Sequence, residues 1–208
     1  MNIDRYQELI FGLGFREGAW GALNDYVDFL WKSNEDLNLV SRKMTKQDLI
    51  ENHILDCLLP LPYFPKNLKR VADLGSGGGL PGVLYALQFP DVEFHLFEKS
   101  PRKREFLSSC QDFAPNLHIE GEIPLRLQGF DMVTARGFKP LDVIFDMTRS
   151  YYGEGGSYFL LKARREKIEE EISLAKRKFK DLNVEIIQLK SPVLEVERHL
   201  VRVQGASR

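Results

Sequence analysis

Residues 71–82 read Val-Ala-Asp-Leu-Gly-Ser-Gly-Gly-Gly-Leu-Pro-Gly, and this stretch decides the fold of the chain. Its apolar start predicts a buried strand that ends at Asp73, its glycines predict a turn, and Pro81 suits the first turn of a helix. Glycine has no Cβ and accepts positive φ, so such a corner lets the backbone approach a ligand closely. The N–H groups at the helix start then point toward that ligand, which is typical of a nucleotide-like molecule.

One interpretation of this turn is a dinucleotide site. Gly77, Gly79 and Gly82 satisfy the pattern G-x-G-x-x-G. Glu98 stands where the acidic ribose partner is expected, roughly 20 residues further on. Pro81 argues against a pyrophosphate, because proline removes one N–H from the helix start that would hold it.

The other interpretation starts from Asp73, an acidic residue directly before the spaced glycines Gly75, Gly77 and Gly79. A carboxylate there suits a ligand with an ammonium and a sulfonium group, and S-adenosylmethionine is such a ligand. A β-branched side chain at Gly75 is then expected to occupy space that the ligand needs. A turn that only changes the chain direction is the third interpretation, but it seldom needs so many glycines.

The composition is that of an ordinary globular protein, with 208 residues, of which 43% are hydrophobic and 28% charged. This length suits one domain with a sizeable core. No apolar run is long enough to cross a bilayer, and residues 1–5 do not resemble the start of a signal peptide, so a cytoplasmic protein is expected. The two cysteines, Cys57 and Cys110, have no metal-ligand spacing, and no metal site is predicted.

The formal net charge of −1 argues against a nucleic-acid partner, but the local distribution of charge matters more. Basic residues gather in three places, at 102–104, 162–167 and 176–180, each in or beside a predicted helix. A single lysine-rich helix face is usually only solvated. Three such clusters on one small domain indicate a surface for RNA or DNA.

Hydrophobic periodicity divides the chain into a helical extension, residues 1–65, and a core of alternating strands and helices, residues 66–208. Together they are predicted to form one domain. An alternating pattern predicts a mostly parallel sheet with helices on both faces and ligands at the carboxyl ends of the strands. The predicted helices are 4–11, 16–33, 45–59, 81–89, 101–113, 141–152 and 165–179, with a loop at 34–41. The seven predicted strands are 70–74, 93–98, 117–120, 130–135, 157–162, 184–189 and 199–203.

Candidate site residues follow four of these strands and therefore meet at one edge of the sheet. Asp73 ends the first strand, Glu98 the second, and Arg136 the fourth, while Ile123-Pro124 follows the third. A carboxylate at the position of Glu98 can accept both ribose hydroxyls of an adenosine. An arginine can hold a carboxylate or a phosphate with two parallel hydrogen bonds.

The helical extension contains two polar residues that are predicted to lie close together. His53 and Asp56 lie three residues apart on a predicted helix, so they share one face and could hydrogen-bond to each other.

Taken together, these residues resemble the glucose-inhibited division B (GidB/RsmG) family, bacterial methyltransferases of a guanine N7 in 16S ribosomal RNA. The resemblance covers nearly the whole chain, and the Leu-Pro-Gly and Glu-Arg-His segments are its most specific parts. Its motifs occur in family order: Asn38-Leu39, His53-x-x-Asp56, Asp73-x-Gly75-Ser-Gly77-x-Gly79-Leu80-Pro81-Gly82, Lys103-Arg104-x-Phe106-Leu107, Phe130-Asp131, Ala135-Arg136, Lys162 and Glu197-Arg198-His199-Leu200.

The resemblance implies a class I, Rossmann-like methyltransferase fold with an N-terminal helical extension. It also implies S-adenosylmethionine as the cofactor, with contacts from Gly75, Leu80, Ile123-Pro124 and Arg136. We add Asp73, Gly77 and Glu98 to this predicted set from the strand-end pattern. The chain departs from the family at Asn52, usually arginine, and at Glu98, usually aspartate. The segment 121–129 is shortened, and Pro124 has no N–H for the adenine side.

Guanine N7 has a lone pair and no proton, so the expected reaction needs no general base. Arg136 and Lys162 are predicted to position the reactants, and no residue is assigned to acid–base catalysis. The predicted RNA contacts are Lys162, Arg164, Arg165 and Arg198. A monomer is expected, acting on 16S RNA either free or within a small-subunit particle. The alternatives are an S-adenosylmethionine-dependent enzyme for a small molecule or protein, and a dinucleotide-binding or regulatory module.

Overall fold

The computed structural model describes residues 3–206, which build one seven-stranded sheet in the order β3-β2-β1-β4-β5-β7-β6. Strands β1 to β5 run parallel to one another, and β7 runs antiparallel to both β5 and β6. The strands are β1 Arg70–Leu74, β2 Glu93–Phe97, β3 Leu117–Glu120, β4 Met132–Arg136, β5 Ser157–Lys162, β6 Asn183–Leu189 and β7 Arg198–Gln204. The mostly parallel, seven-stranded sheet of the predicted fold class is confirmed.

Helices cover both faces of the sheet. They are α1 Gln7–Gly12, α2 Trp20–Leu37, α3 Lys46–Leu49, α4 Leu55–Leu58, α5 Gly82–Gln88, α6 Pro101–Ser109, α7 Leu141–Met147, α8 Arg149–Gly153 and α9 Arg165–Lys176. One π-helical turn, Ile50–Ile54, connects α3 to α4, and short 3-10 turns lie at Ile3–Tyr6, Glu17–Ala19, Leu61–Tyr63 and Cys110–Asp112. None of the helices within residues 3–206 has the length and apolar character needed to span a membrane.

The alternation of side chains along β1 assigns each face of the sheet to its own core. Val71 belongs to the core beneath α1 to α6, whereas Ala72 and Leu74 belong to the core beneath α7 to α9. The first core joins the helical extension to the sheet without a break. We therefore propose that both parts form one domain; residues 1, 2, 207 and 208 lie outside the described residues.

Several predicted helix boundaries are wrong for tertiary reasons. Helix α2 continues to Leu37, through part of the predicted loop, because Asn34 is buried and its side chain accepts a hydrogen bond from the Val40 N–H at 2.8 Å. The helix ends at Asn38, whose φ of 51° is left-handed. The predicted helix 141–152 is interrupted at Thr148, whose hydroxyl bonds the Ile144 carbonyl and the Tyr158 hydroxyl.

The helical extension is joined to the glycine-rich turn by one buried hydrogen bond. Tyr26, on α2, is fully buried, and its hydroxyl donates to the Gly78 carbonyl at 2.6 Å. A turn rich in glycine has few side chains with which to pack, so an outside contact of this kind restricts its conformation. The extension therefore supports the part of the core that the sequence marks as the ligand site.

We predict that Tyr26→Phe lowers the free energy of unfolding by about 1–3 kcal/mol, because the buried Gly78 carbonyl loses its donor. Urea denaturation measures this difference. Tyr63→Phe is the matched control, since Tyr63 is 42% exposed. Equal losses in the two variants would show that the buried hydrogen bond contributes no stability of its own.

Candidate functional site

A cavity of about 690 Å³ opens at the carboxyl ends of β1, β4 and β5. The glycine-rich turn forms one wall, the segment 136–140 after β4 forms the floor, and the ends of β5 and β7 form the opposite wall. The helical extension closes the cavity with four residues, Leu39, Val40, His53 and Asp56. Four of the predicted cofactor residues line it, namely Gly75, Gly77, Leu80 and Arg136, whereas Asp73, Glu98, Ile123 and Pro124 do not.

The glycine-rich turn needs glycine at Gly75 and Gly77, whose φ values are 67° and 56°. The turn is tied to β2, because the N–H groups of Gly75 and Ser76 both donate to the Phe97 carbonyl. A Cβ on Gly75 would lie 2.1 Å from Cδ2 of Phe138. The Phe138 ring is thus one reason for glycine here, and the ligand contact expected at Gly75 stays a prediction.

Asp73 lies beneath the turn and is fully buried. Its Oδ2 accepts a hydrogen bond from the Gly82 N–H at 3.2 Å, at the start of α5, and its Oδ1 has no partner within residues 3–206. Burial raises the pKa of Asp73 to about 7, against hydrogen bonds that lower it. In this structure Asp73 anchors the helix start, and the cofactor contact predicted for it stays a prediction.

Glu98 is also tied to the turn rather than directed into the cavity. Its Oε2 accepts from the Gly77 N–H at 3.0 Å and its Oε1 from the Ser100 N–H at 2.8 Å, and the residue is 8% exposed. Each carboxylate oxygen has lone pairs for more than one hydrogen bond. Ribose hydroxyls could therefore be accepted without loss of these backbone contacts.

The segment between β3 and β4 forms no helix. In it, Ile123 is half-buried and Pro124 is exposed. Both residues follow the end of β3, at the same edge of the sheet as Glu98. Their predicted adenine contacts remain a prediction.

The guanidinium of Arg136 is held in the cavity by three hydrogen bonds. Its Nε donates to Asp56 Oδ2 at 3.0 Å, and its NH2 donates both to the Asn52 carbonyl and to His53 Nδ1, each at 2.9 Å. Asp56 uses its other oxygen to accept a hydrogen bond from Arg198 Nε. The expected bond between His53 and Asp56 is therefore not formed; both residues bind Arg136 instead, because β4 places this guanidinium against the face they share.

This arrangement also determines the charge of His53. Burial, reinforced by the positive charges of Arg136 and Arg198, lowers the pKa of His53 to about 4. The imidazole is therefore neutral at physiological pH. Arg136 remains charged and keeps NH1 without a hydrogen-bond partner in the described part of the chain, so NH1 is available to an anionic group of a ligand.

Lys162 forms an ion pair where the sequence suggested a free contact to RNA. Its Nζ donates to Glu171 Oε2 and to the Lys139 carbonyl, both at 2.8 Å, and its side chain is 15% exposed. Glu171 also accepts from the Leu141 N–H. A phosphate at Lys162 would have to compete with a buried carboxylate.

The other three predicted RNA residues differ in their environment. Arg198 lines the cavity and is paired with Asp56, whereas Arg164 and Arg165 are exposed at the start of α9. Arg165 forms an ion pair with Glu169 at 2.6 Å, one helical turn further on. The start of α9 thus carries solvent-exposed positive charge, and so does Lys139, which lines the cavity.

Sequence reasoning missed Phe138 and Glu171. Phe138 lies two residues after Arg136, in a short loop that carried no motif. Glu171 belongs to a charged helix that suggests a solvated face, yet it is only 7% exposed. Its spacing of three from Ile168, a buried residue, is the one local signal that it faces inward.

One group of potential metal ligands occurs within residues 3–206, formed by Glu93, His95 and His118 on β2 and β3. The guanidinium of Arg70 lies in this group, 3.4 Å from Glu93 Oε2 and 3.3 Å from His95 Nε2. A cation is therefore already provided by the chain, and the cluster carries no metal assignment.

The sequence as a whole is similar to known proteins. The family model GidB, described as rRNA small subunit methyltransferase G, matches residues 20–201. The chain is 58% identical to ribosomal RNA small subunit methyltransferase G 1 of Bdellovibrio bacteriovorus over 202 residues, 97% of this chain and 98% of that protein. It is 31% identical to ribosomal RNA small subunit methyltransferase G of Brachyspira hyodysenteriae, with 86% and 87% covered.

The similarity to solved structures is informative about the fold only. An O-methyltransferase from Bacillus cereus in complex with SAH superimposes with a TM-score of 0.60 at 10% identity, over 88% of this chain and 91% of that one. This likeness confirms the class I, Rossmann-like methyltransferase fold.

We predict that Gly75→Val weakens S-adenosylmethionine binding at least tenfold, because its Cβ would displace Phe138 and a β-branched residue is strained at positive φ. Isothermal calorimetry gives the affinity, and circular dichroism confirms that the variant is folded. Gly121→Ala is the control, since no atom lies within 4 Å of a Cβ there. A folded Gly75→Val protein with the parent affinity would separate the turn from the ligand site.

Proposed function

Because the chain belongs to the GidB family of small-subunit ribosomal RNA methyltransferases, we propose that it transfers a methyl group from S-adenosylmethionine to N7 of a specific guanine in 16S ribosomal RNA. The observation that carries this proposal is the 58% identity to a ribosomal RNA small subunit methyltransferase along nearly the whole of both chains. The cavity supports it, because four of the predicted cofactor residues, Gly75, Gly77, Leu80 and Arg136, line one space.

The residues at the sheet edge fit S-adenosylmethionine. In the proposed arrangement, the free NH1 of Arg136 binds the carboxylate of the methionine part, and the turn at Gly75 and Gly77 lies against the chain between sulfur and ribose. The carboxylate of Glu98 accepts the ribose hydroxyls, and Ile123 contributes apolar surface to the adenine. The nucleoside then extends out of the cavity toward the end of β3.

The proposed methyl transfer depends mainly on how the protein positions the reactants. S-adenosylmethionine carries an electrophilic methyl group, so neither a metal nor a general base is required for attack by the N7 lone pair. The protein must hold the nucleophile, the methyl carbon and the sulfur in line, and good alignment can account for much of such a rate enhancement. The rigid network around Arg136 suits this task.

Partial charge compensation in the cavity also suits N7 as the acceptor. The product guanine is cationic, so unpaired positive charge near the ring would oppose the transfer. Arg136 and Arg198 share Asp56, and Lys162 is paired with Glu171. Two carboxylates thus compensate two of these three cations before the substrate arrives.

For the RNA we propose an approach across the start of α9, where Arg164 and Arg165 face solvent. The enzyme would act as a monomer in the cytoplasm, on 16S RNA that is free or assembled into a small-subunit particle. No metal takes part in this proposal.

Incubation of the protein with S-adenosylmethionine and 16S RNA, followed by mass spectrometry of the nucleosides, tests the function. We expect 7-methylguanosine to appear in RNA or in small subunits from a strain that lacks the enzyme, whereas RNA from the parent strain already carries the methyl group and should gain none. A methyl group on another base, or no methylated nucleoside with either form of the substrate, would contradict the proposal. Methyl transfer to small molecules or proteins of a cell extract, with none to RNA, would favour the alternative enzyme class.

A second prediction concerns the RNA surface. Replacement of Arg164 and Arg165 by alanine should flatten the dependence of log affinity on log salt by one to two phosphate contacts, each worth about 0.7 for single strands. Binding of S-adenosylmethionine should not change. The matched control is a double alanine variant of Lys66 and Lys69, which are exposed and precede β1 at the opposite edge of the sheet. Equal slopes for both double variants would place the RNA elsewhere.

A further inference from the structure

His53 presents an unusual hydrogen-bond donor to the cavity. It lies on the π-helical turn and its ring lines the cavity wall. The guanidinium of Arg136 approaches its Nδ1 at 2.9 Å. A guanidinium can only donate, so Nδ1 must accept, and in the neutral ring the proton then lies on Nε2.

The second ring nitrogen is free to bind a ligand. Nε2 of His53 has no hydrogen-bond partner in the described part of the chain, and it is not among the buried unpaired atoms. With its pKa lowered to about 4 by burial and the two arginines, the ring stays uncharged. His53 therefore offers one neutral N–H of fixed orientation to whatever occupies the cavity.

Three other polar side chains of this wall, Lys162, Arg198 and His199, do not present a free, neutral donor of this kind. Lys162 is bound to Glu171 and to the Lys139 carbonyl, and the Nε of Arg198 is bound to Asp56. His199 has the opposite orientation, because its Nδ1 lies 2.6 Å from the Ala163 carbonyl and must donate to it. In a neutral ring, Nε2 of His199 is then an acceptor.

The reacting edge of guanine has two neighbouring acceptors, N7 and O6. During the transfer the N7 lone pair is directed to the methyl carbon, so a protein donor must bind O6 and avoid N7. Adenine has an amino donor in place of O6, which a second donor cannot bind. A neutral N–H also avoids repulsion with the positive charge that develops on the ring.

We propose that His53 selects guanine by donating its Nε2 proton to O6 of the target base. This inference rests on the proposed function and adds to it the residue that recognises the base. His53 touches the substrate in this assignment, while Arg136 fixes its tautomer from behind.

Two substitutions of His53 test the roles of its Nδ1 and Nε2 atoms separately. In His53→Asn the amide oxygen can replace Nδ1 as the acceptor for Arg136, but no donor remains at the position of Nε2. In His53→Gln the amide nitrogen can reach that position. His118→Asn is the control, because His118 is exposed on β3 and does not line the cavity.

The assay is single-turnover methylation of a 16S RNA fragment, with the methylated guanine either intact or replaced by 2-aminopurine, which keeps N7 and lacks O6. For the parent enzyme we expect 2-aminopurine to react about three- to tenfold more slowly, the loss of one hydrogen bond. His53→Asn should slow the reaction of guanine by a similar factor and leave that of 2-aminopurine unchanged, as two changes to one contact are not additive. His53→Gln should recover most of the guanine rate.

Three results would overturn the assignment: equal rates of the parent enzyme on the two bases, additive effects of His53→Asn and 2-aminopurine, or weaker S-adenosylmethionine binding in His53→Asn that accounts for its slower rate. The last would make His53 a support for the cofactor site. Failure of the proposed function looks different, because the parent enzyme would then form no 7-methylguanosine in unmodified RNA.

Discussion

The ion pair between Asp56 and Arg136, shared with Arg198, is the contact on which the site depends. It joins three parts of the chain that are far apart in sequence, namely the helical extension, the end of β4 and the start of β7. The three side chains are 11–20% exposed, so each charge has lost much of its water. Removal of one partner from such a group is costly, because the remaining charges stay partly buried without compensation. The helical extension is therefore part of the site and more than a cover on the sheet.

The same network lowers the positive charge of the cavity wall and keeps its imidazole neutral. The single carboxylate of Asp56 accepts from two guanidiniums, so it compensates one of their two charges, and the neutral ring of His53 accepts from one of them. For a transfer that creates a cation on the substrate, this partial compensation and the neutral ring are an advantage. The ion pair of Lys162 with Glu171 compensates a further cation on the wall formed by β5 and α9.

Sequence reasoning was most successful where structure follows from local pattern. The bounds of β1, β3 and β5 match the predicted residues, because each strand is a short segment with apolar or alternating residues between clear breaks. The glycine-rich turn was also found, since its φ values require glycine. The failures concern partners that are far apart in the sequence. Arg136 is 83 residues from His53. No local pattern shows that His53 binds Arg136 and leaves the expected hydrogen bond to Asp56 unformed. Glu171 was missed for the same reason, because its partners lie on β5 and at the start of α7.

The local distribution of charge is consistent with an RNA substrate for a chain whose net charge is −1. At physiological salt the Debye length is about 8 Å, so a phosphate responds to nearby side chains and little to acids on the far side of the protein. In the proposed complex the exposed arginines at the start of α9 attract the RNA backbone, while the cavity receives the base. Affinity for RNA and the chemistry at N7 would then depend on different residues, and one could change without the other. Such a division would allow a protein of ordinary composition to act on a polyanion without a strongly basic surface.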